Sequence, residues 1–447
     1  MSFDFCTRQT IAELIASQGG SIKTGPFGTA LKASEYAAEG VPLISVREIG
    51  HGNFHIDAKT PRVDAATLAR LPEYVLEEGD IVFARKGGIE RCALVSKQQT
   101  GWFLGSDGIR LRPPKTCNAR FLAYALQTSA VKEWLLQHST GSTMASLNQA
   151  TIGRLPIALP ALHVQDAVAD TLELFDDRIT LLRETNATLE AIAQALFKSW
   201  FIDFDPVRAK MGGCVPEGMD EDTAALFPNG FEESELGAVP TGWQFRRLGD
   251  VSSYLSRGIS PKYLEDGGVL VLNQKCIRDF SVDYSKGRRH DSSQRKIEGR
   301  QIATGDVLVN STGVGTLGRV AQILSLPESA VIVDSHVTII RPGPNLSWPY
   351  LGQFMMRKQS DIEAMGEGST GQTELSRSKL AEISVLVPPE HILAAFDRLV
   401  IPIKQRISLN ESEIRNMAKL RDALLPRLIS GQLRIPGAEA KIDAIVA

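Results

Sequence analysis

The chain repeats itself once, at a shift of about 228 residues, and that duplication limits what it can fold into more than any other feature. Val41 to Ile49 (VPLISVREI) aligns with Val269 to Ile277 (VLVLNQKCI), and Glu77 to Ala84 (EEGDIVFA) aligns with Ala303 to Asn310 (ATGDVLVN). IRLRP ends at Pro113 and TIIRP at Pro342, and an STG triplet recurs at Ser139 and Ser369. Leu147 to Pro160 (LNQATIGRLPIALP) matches Leu375 to Pro388 (LSRSKLAEISVLVP). A unit of this length is far too long for a solenoid repeat and reads as a duplicated domain.

Each unit has the same internal order. Short β-branched runs come first (LISV, DIVFA, VLVLN, DVLVN), separated by glycine, proline and asparagine, as strands of a mixed β-rich domain are. A helical stretch follows, FLAYALQTSAVKEWLLQ in one unit and YLGQFMMRKQSDIEAM in the other. A last apolar strand (LPIALP, ISVLVP) ends in proline, and a long helical pattern begins. The first pattern places Leu172, Phe175, Ile179, Leu182, Asn186, Leu189, Ala193, Leu196 and Trp200 at alternating steps of three and four. Val400, Ile403, Ile407, Asn410, Ile414, Met417, Arg421, Leu424 and Leu428 repeat it. Such a stripe also suits a helix packed on its own domain, but two in register within one chain favour mutual pairing as a coiled coil. A helix from Val164 to Trp200 would be roughly 55 Å long. Pro402 should start or kink the second helix. If the pair is antiparallel, Asn186 faces Asn410, a buried polar contact that fixes register.

The fold class is therefore α+β: two β-rich mixed domains in tandem pseudo-symmetric repeat, with two long helices forming an antiparallel coiled coil. The expected segments are a first domain over 1–160, a first long helix over 161–206, an acidic connector over 207–240, a second domain over 241–388, a second long helix over 389–434 and a tail over 435–447.

Charge bears on partners. The formal net charge is −3, which taken whole argues against nucleic acid. Its distribution does not: Gly20 to Arg120 carries 14 basic and 11 acidic residues, and Trp243 to Lys358 carries 16 and 10. Asp203 to Gly237 carries 2 and 9, so two mildly basic blocks flank an acidic connector. Five scattered cysteines (Cys6, Cys92, Cys117, Cys214, Cys276) without CxxC spacing fit neither a disulfide framework nor a zinc site and suit a reducing cytoplasm. MSFDFCTRQT lacks the apolar run of a signal peptide, and no apolar stretch is long enough to span a membrane.

Three phrases carry a resemblance: FDDRITLLRETNATLEAIAQALFKSWFIDFDPV after the first domain, VPTGWQFRRLGDV opening the second, and LRDALLPRLISGQL near the C-terminus. With the order domain, long helix, domain, long helix, the chain resembles the specificity subunit of type I restriction–modification enzymes. The resemblance implies that each domain is a target-recognition domain reading one half of a split, asymmetric site in double-stranded DNA. It implies that the paired helices set the spacing, and that two methyltransferase subunits dock on the helices and adjoining surfaces. Those subunits would bring S-adenosylmethionine, and motor/nuclease (restriction) subunits would use ATP and magnesium. No cofactor and no catalysis would reside in this chain. Two unlike readers in one polypeptide give a non-palindromic site, with half-sites about one turn, roughly 10 bp, apart.

Several motifs invite other chemistry. GVGTLG (Gly313 to Gly318) fits G-x-G-x-x-G, but the strand-like RVAQIL follows where a dinucleotide site needs a helix, so a strand–turn–strand is the better reading. Asp205-Pro206 lacks the rest of the adenine-methyltransferase signature and reads as the end of the first helix. His51 and His55, in GHGNFH, read as a surface loop without a third metal ligand. The candidate DNA contacts are basic and amide side chains in loops, whose donors match base edges and phosphates. In the first domain they are Lys23, Lys32, Tyr36, Ser45, Arg47, Arg85, Lys86, Arg91 and Ser142. In the second they are Arg257, Lys262, Tyr263, Asn273, Gln274, Lys275, Arg288, Arg289, Asn310, Ser311, Thr312, Arg319, His336, Thr370 and Gln372. Two readings of another class stay open: a methyltransferase or nuclease with an unrecognised centre, and a coiled-coil scaffold that does not bind DNA.

Overall fold

The computed structural model describes residues 7–141, 144–366 and 374–435. It divides into two compact units, Met1–Thr180 with Ile414–Ala447, and Leu181–Glu413, so that the boundary crosses both long helices.

In the first unit the apolar phrases pair as an antiparallel four-stranded sheet, in the order Ser21–Thr24, Gly108–Arg112, Ile81–Ala84, Cys92–Leu94. A smaller sheet sets Arg62–Val63 antiparallel and Phe103–Leu104 parallel to Val41–Ile44. Thr7–Thr10 pairs with the proline-bounded Pro156–Leu159. Ile81 to Ala84 are buried throughout, as a central strand covered on both faces requires.

The second unit repeats the order of the main sheet and adds a strand, Tyr263–Leu264, to the smaller one. Ser252–Arg257, Val337–Pro342, Val307–Asn310 and Val320–Gln322 form the antiparallel sheet. Val331–Val333 runs parallel to Val269–Leu272, and Gln244–Arg247 pairs with Ser384–Val387. The duplication seen in the sequence is thus a duplication of topology.

The repeated phrases GD and RP have a specific structural use. Asp80 is buried, and Arg112 clamps it from the neighbouring strand, Nε to Oδ1 at 2.7 Å and Nη2 to Oδ2 at 2.8 Å. Asp306 and Arg341 make the same fork at 2.7 Å on both arms. Each carboxylate also accepts a backbone N–H of its own turn, from Glu77 at 2.8 Å and from Ala303 at 2.7 Å. The forked hydrogen bonds hold both guanidinium groups above their ordinary pKa.

The long helices span Leu162–Lys198 and Glu390–Ile429. In the first unit Leu172 and Phe175 share a buried cluster with Leu424 and Leu428, and Met417 packs against it. Arg421, at a seam position, instead reaches Asp176, whose carboxylate also accepts from Tyr124 at 2.6 Å. In the second unit Asn410 Nδ2 donates to Asn186 Oδ1 at 2.7 Å, and Lys404 Nζ lies 2.7 Å from Glu190 Oε2, so the helices run antiparallel there. The expected asparagine pair is present. Ile179, Leu182 and Ile407 are buried, while Leu189, Leu196, Ile403 and Ile414 are half-buried. Ala193 to Trp200 and Ile392 to Val400 also belong to the core of the second unit, so the stripe serves both domain and seam.

Asn410 is fully buried, and its Oδ1 accepts from no described residue. Replacing both asparagines by leucine should therefore raise stability by about 1–2 kcal/mol while relaxing register. Cysteine pairs placed in the native and in a shifted alignment read this directly: shifted cross-links should form only in the leucine variant, and native cross-links alone would sink the idea.

Two expectations are corrected, and the acidic connector takes on structure. Pro402 does not start the second helix, which begins at Glu390 and continues through the proline, exposed on its surface, to Ile429. Asp205-Pro206 does not end the first helix. A π-turn over Ser199–Asp203 and a left-handed Phe204 (φ 57°) do, and Asp205–Met211 starts a new helix with the proline in its first turn. The acidic connector is folded: it contributes Val207, Phe227 and Val239 to the buried core and a hairpin, Phe231–Ser234 with Gly237–Pro240. Among the described residues no helix is long and apolar enough to cross a membrane.

Candidate nucleic-acid interface

In each unit the forked aspartate opens the central strand, and that strand delivers a loop at its far end. In the second unit the loop closes with Asn310 N donating to Arg319 O at 2.9 Å, and Gly313, Gly315 and Gly318 all take positive φ. This is the strand–turn–strand anticipated for GVGTLG; Val320–Gln322 returns antiparallel beside Val307–Asn310. Two neighbours border the loop. Ser311 N donates to His336 O, and Leu375 N to Ser311 O, both at 2.8 Å.

The side chains here form one polar network. Thr312 Oγ1 lies 2.7 Å from His336 Nδ1 and 3.2 Å from Gln274 Oε1. Arg319 donates to Gly315 O at 2.8 Å, and Arg257 holds Glu374 and donates to Leu375 O at 2.7 Å. Asn273 caps the turn that presents exposed Lys275, accepting from Lys275 N at 2.8 Å. Its Nδ2 reaches Lys286 O at 3.3 Å, and on the adjoining strand exposed Arg288 stacks 3.4 Å from the Tyr263 ring centroid. Lys262 is exposed, and Arg289 is taken by Glu328 at 2.7 Å. Beneath the network, burial pushes the Asp334 carboxyl above its ordinary pKa against the N–H that His336 donates at 2.9 Å.

Two candidates fail as surface readers. Asn310 and Ser311 are fully buried: Asn310 Nδ2 binds the carbonyls of Gln274 and Thr316, and Ser311 Oγ meets Thr338 Oγ1 at 2.5 Å. They build the loop from inside. Ser142, Thr370 and Gln372 lie outside the described residues.

The first unit holds the same frame with other side chains. Arg85 N donates to Asp107 O and Leu147 N to Arg85 O, both at 2.8 Å, which makes Lys86 the counterpart of Thr312 and Asp107 that of His336. A charged pair, Lys86 with Asp107 at 3.3 Å, thus replaces a hydroxyl–imidazole pair. Arg91 donates to Ile49 O at 2.8 Å, tying the loop to the segment of Ser45 and Arg47. Arg47 is held by Asp57, and Ser45 N donates to buried Glu48 at 3.1 Å; burial raises the Glu48 pKa. Lys23 sits 3.7 Å from Glu73 and 4.6 Å from the Tyr74 ring centroid, and Lys32 and Tyr36 are exposed.

Two exposed apolar side chains beside these loops escape a search for polar readers. Phe27 is 64% exposed, with the Arg85 guanidinium 5.6 Å from its ring centroid; Val314 is 76% exposed at the tip of the second loop. Their signal in the sequence is an apolar residue set among glycines, GPFG and GVG.

Residues 27–191 match the type I restriction modification DNA specificity domain. The specificity subunit of the type I restriction enzyme MjaIX of Methanocaldococcus jannaschii is 24% identical over 420 residues, covering 90% of this chain and 89% of that one. Along most of its length the chain is similar to type I specificity subunits. The specificity subunit of the HindI enzyme of Haemophilus influenzae is 23% identical, covering 80% of this chain and 87% of that one. The fold agrees with that of the S subunit from M. genitalium, with a TM-score of 0.55 at 16% identity over 96% of this chain and 97% of that chain. The matched domain covers most of the first unit and runs into the last turns of the first long helix; the second unit is tied to the first by the repeated sheet order and fork.

Proposed function

We propose that this chain is a specificity subunit that reads a two-part, asymmetric sequence in double-stranded DNA, one part with each unit, and contributes no catalysis of its own. The observation that carries this reading is the pair of equivalent loops, identical in frame and different in side chains: Lys86 with Asp107 in one unit, Thr312 with His336 in the other. A shared scaffold with exchanged loop chemistry suits two readers with different targets. The exposed Lys275 and Arg288, Arg319, and Lys86 with Arg85 are the donors we assign to DNA. Two methyltransferase subunits would dock on the helices and bring S-adenosylmethionine; motor/nuclease subunits would add ATP and magnesium chemistry, all in the cytoplasm.

Mapping methylated adenines in a genome that carries this gene with its methyltransferase tests the reading. The expected result is one motif of two unlike parts separated by a fixed gap. A palindrome, or a single continuous motif, would count against it. The assembled complex should also lose DNA affinity steeply with salt, with log K falling linearly in log salt concentration. Methylation or cleavage by the purified chain alone would overturn the assignment as a non-catalytic subunit.

A further inference from the structure

The two loops differ in length as well as in side chains. Ala84 N donates to Arg91 O in the first unit, and Asn310 N to Arg319 O in the second, at 3.0 and 2.9 Å. These closures enclose residues 85–90 and 311–318, so the second loop is two residues longer. The surplus can be placed. Lys86 and Thr312 are counterparts before the tip, and buried Ile89 and Leu317 are counterparts after it, which leaves Val314-Gly315 as the addition. Val314 is the most exposed of the large hydrophobic residues among those described, lifted by Gly313 (φ 106°) and Gly315 (φ 70°). Around it stand hydrogen-bonding groups, Thr312, Gln274, His336 and Arg319.

An apolar tip within a polar network asks for an apolar patch within a polar surface. The major groove of DNA is such a surface: about 12 Å wide, it admits a two-stranded ribbon and displays donors and acceptors, and the thymine C5-methyl is its one apolar feature. We propose that Val314 is a specificity-determining residue that packs on the methyl group of a thymine in the half-site read by the second unit. The first loop has no residue at this position, so its half-site carries no such contact. The inference rests on the reading of the second unit as a DNA reader.

The test uses the complete complex of this chain with its methyltransferase subunits and synthetic duplexes bearing the mapped site. Each thymine is replaced in turn by deoxyuridine, which removes only the methyl group. With the natural chain, one replacement in the second half-site should weaken binding about fourfold, the value of one buried methylene-sized group. Val314→Ala should weaken binding to the thymine duplex by a similar factor and bind thymine and uracil duplexes alike. Replacements in the first half-site should affect both chains equally. The proposal is overturned if the second half-site holds no thymine, if no replacement separates Val314→Ala from the natural chain, or if Val314→Ala loses affinity equally for both duplexes, as contact with a partner protein would give. A genome without a two-part motif would instead remove the reading on which the proposal stands, and the proposal with it.

Discussion

Arg341→Leu is expected to destabilise the second unit by about 3–5 kcal/mol, the range for stranding a buried charge by removing its partner. Asp306 is 1% exposed and receives both arms of the guanidinium. Without them the carboxylate keeps only the Ala303 N–H, too little to offset its desolvation. The reverse change is milder. In Asp306→Ala the arginine, 35% exposed, turns to solvent, and the loss is that of the charged hydrogen bonds, roughly 1.5–3 kcal/mol. Arg112→Leu and Asp80→Ala should follow the same order in the first unit, where Glu77 gives Arg112 a second anchor but cannot serve Asp80. A chain of two units need not unfold in one transition, so the measurement is hydrogen exchange strand by strand. Arg341→Leu should speed exchange in Val307–Asn310 and Val337–Pro342 and leave Ile81–Ala84 and Gly108–Arg112 protected. Equal loss in both units, or a larger cost for the aspartate variant, would defeat the account.

That fork was visible in the sequence only as two echoed dipeptides. The repeat exposed the strands, because β-branched runs between turn residues mean the same thing twice, and the heptad exposed the helices and the facing asparagines. What stayed hidden depends on partners distant in the chain. Asn310, Ser311 and Thr312 read alike as polar loop residues, yet the first two are walled in by Gln274, Thr316 and Thr338 and only the third reaches the surface network. Pro402 reads as a helix breaker because propensity does not know which side of the helix is wet. Phe204 ends the first helix from a left-handed conformation that no composition rule anticipates for phenylalanine. The loop contacts were the least legible. Arg47, Arg257 and Arg289 are basic and in loops or edge strands, yet each is engaged by an acid of its own unit, whereas Lys275 and Arg288 stand exposed.

Lys404 is the clearest case of a residue whose burial no periodicity reveals, and Glu190→Ala is expected to cost about 3–5 kcal/mol because it strands that ammonium. Lys404 is 2% exposed, against 23% for Glu190, so the two members of the pair are not equivalent. Glu190 is also held by Gln353 Nε2 at 2.8 Å, from the helix Trp348–Arg357, and keeps that bond when the lysine is gone. Lys404→Met should therefore cost only about 1–2 kcal/mol, near the value of one charged hydrogen bond. Combining Glu190→Leu with Lys404→Met replaces the pair by apolar groups and should bring stability back to within about 1 kcal/mol of the natural chain. The cycle built from these variants and Glu190→Leu alone should give a coupling of about 3 kcal/mol or more, at the top of the range for residues in contact. Additive single changes would mean that the pair is a bystander. The design logic follows from position. Lys404 to Glu190 and Asn410 to Asn186 are successive cross-helix contacts in one unit, and a slide of either helix would break both together. An apolar stripe tolerates such a slide, whereas a buried ammonium and a buried amide do not. The double variant keeps the asparagine pair, so it should unfold near the natural denaturant concentration and still hold the native alignment; shifted cross-links in it would show that the asparagines alone do not fix the register.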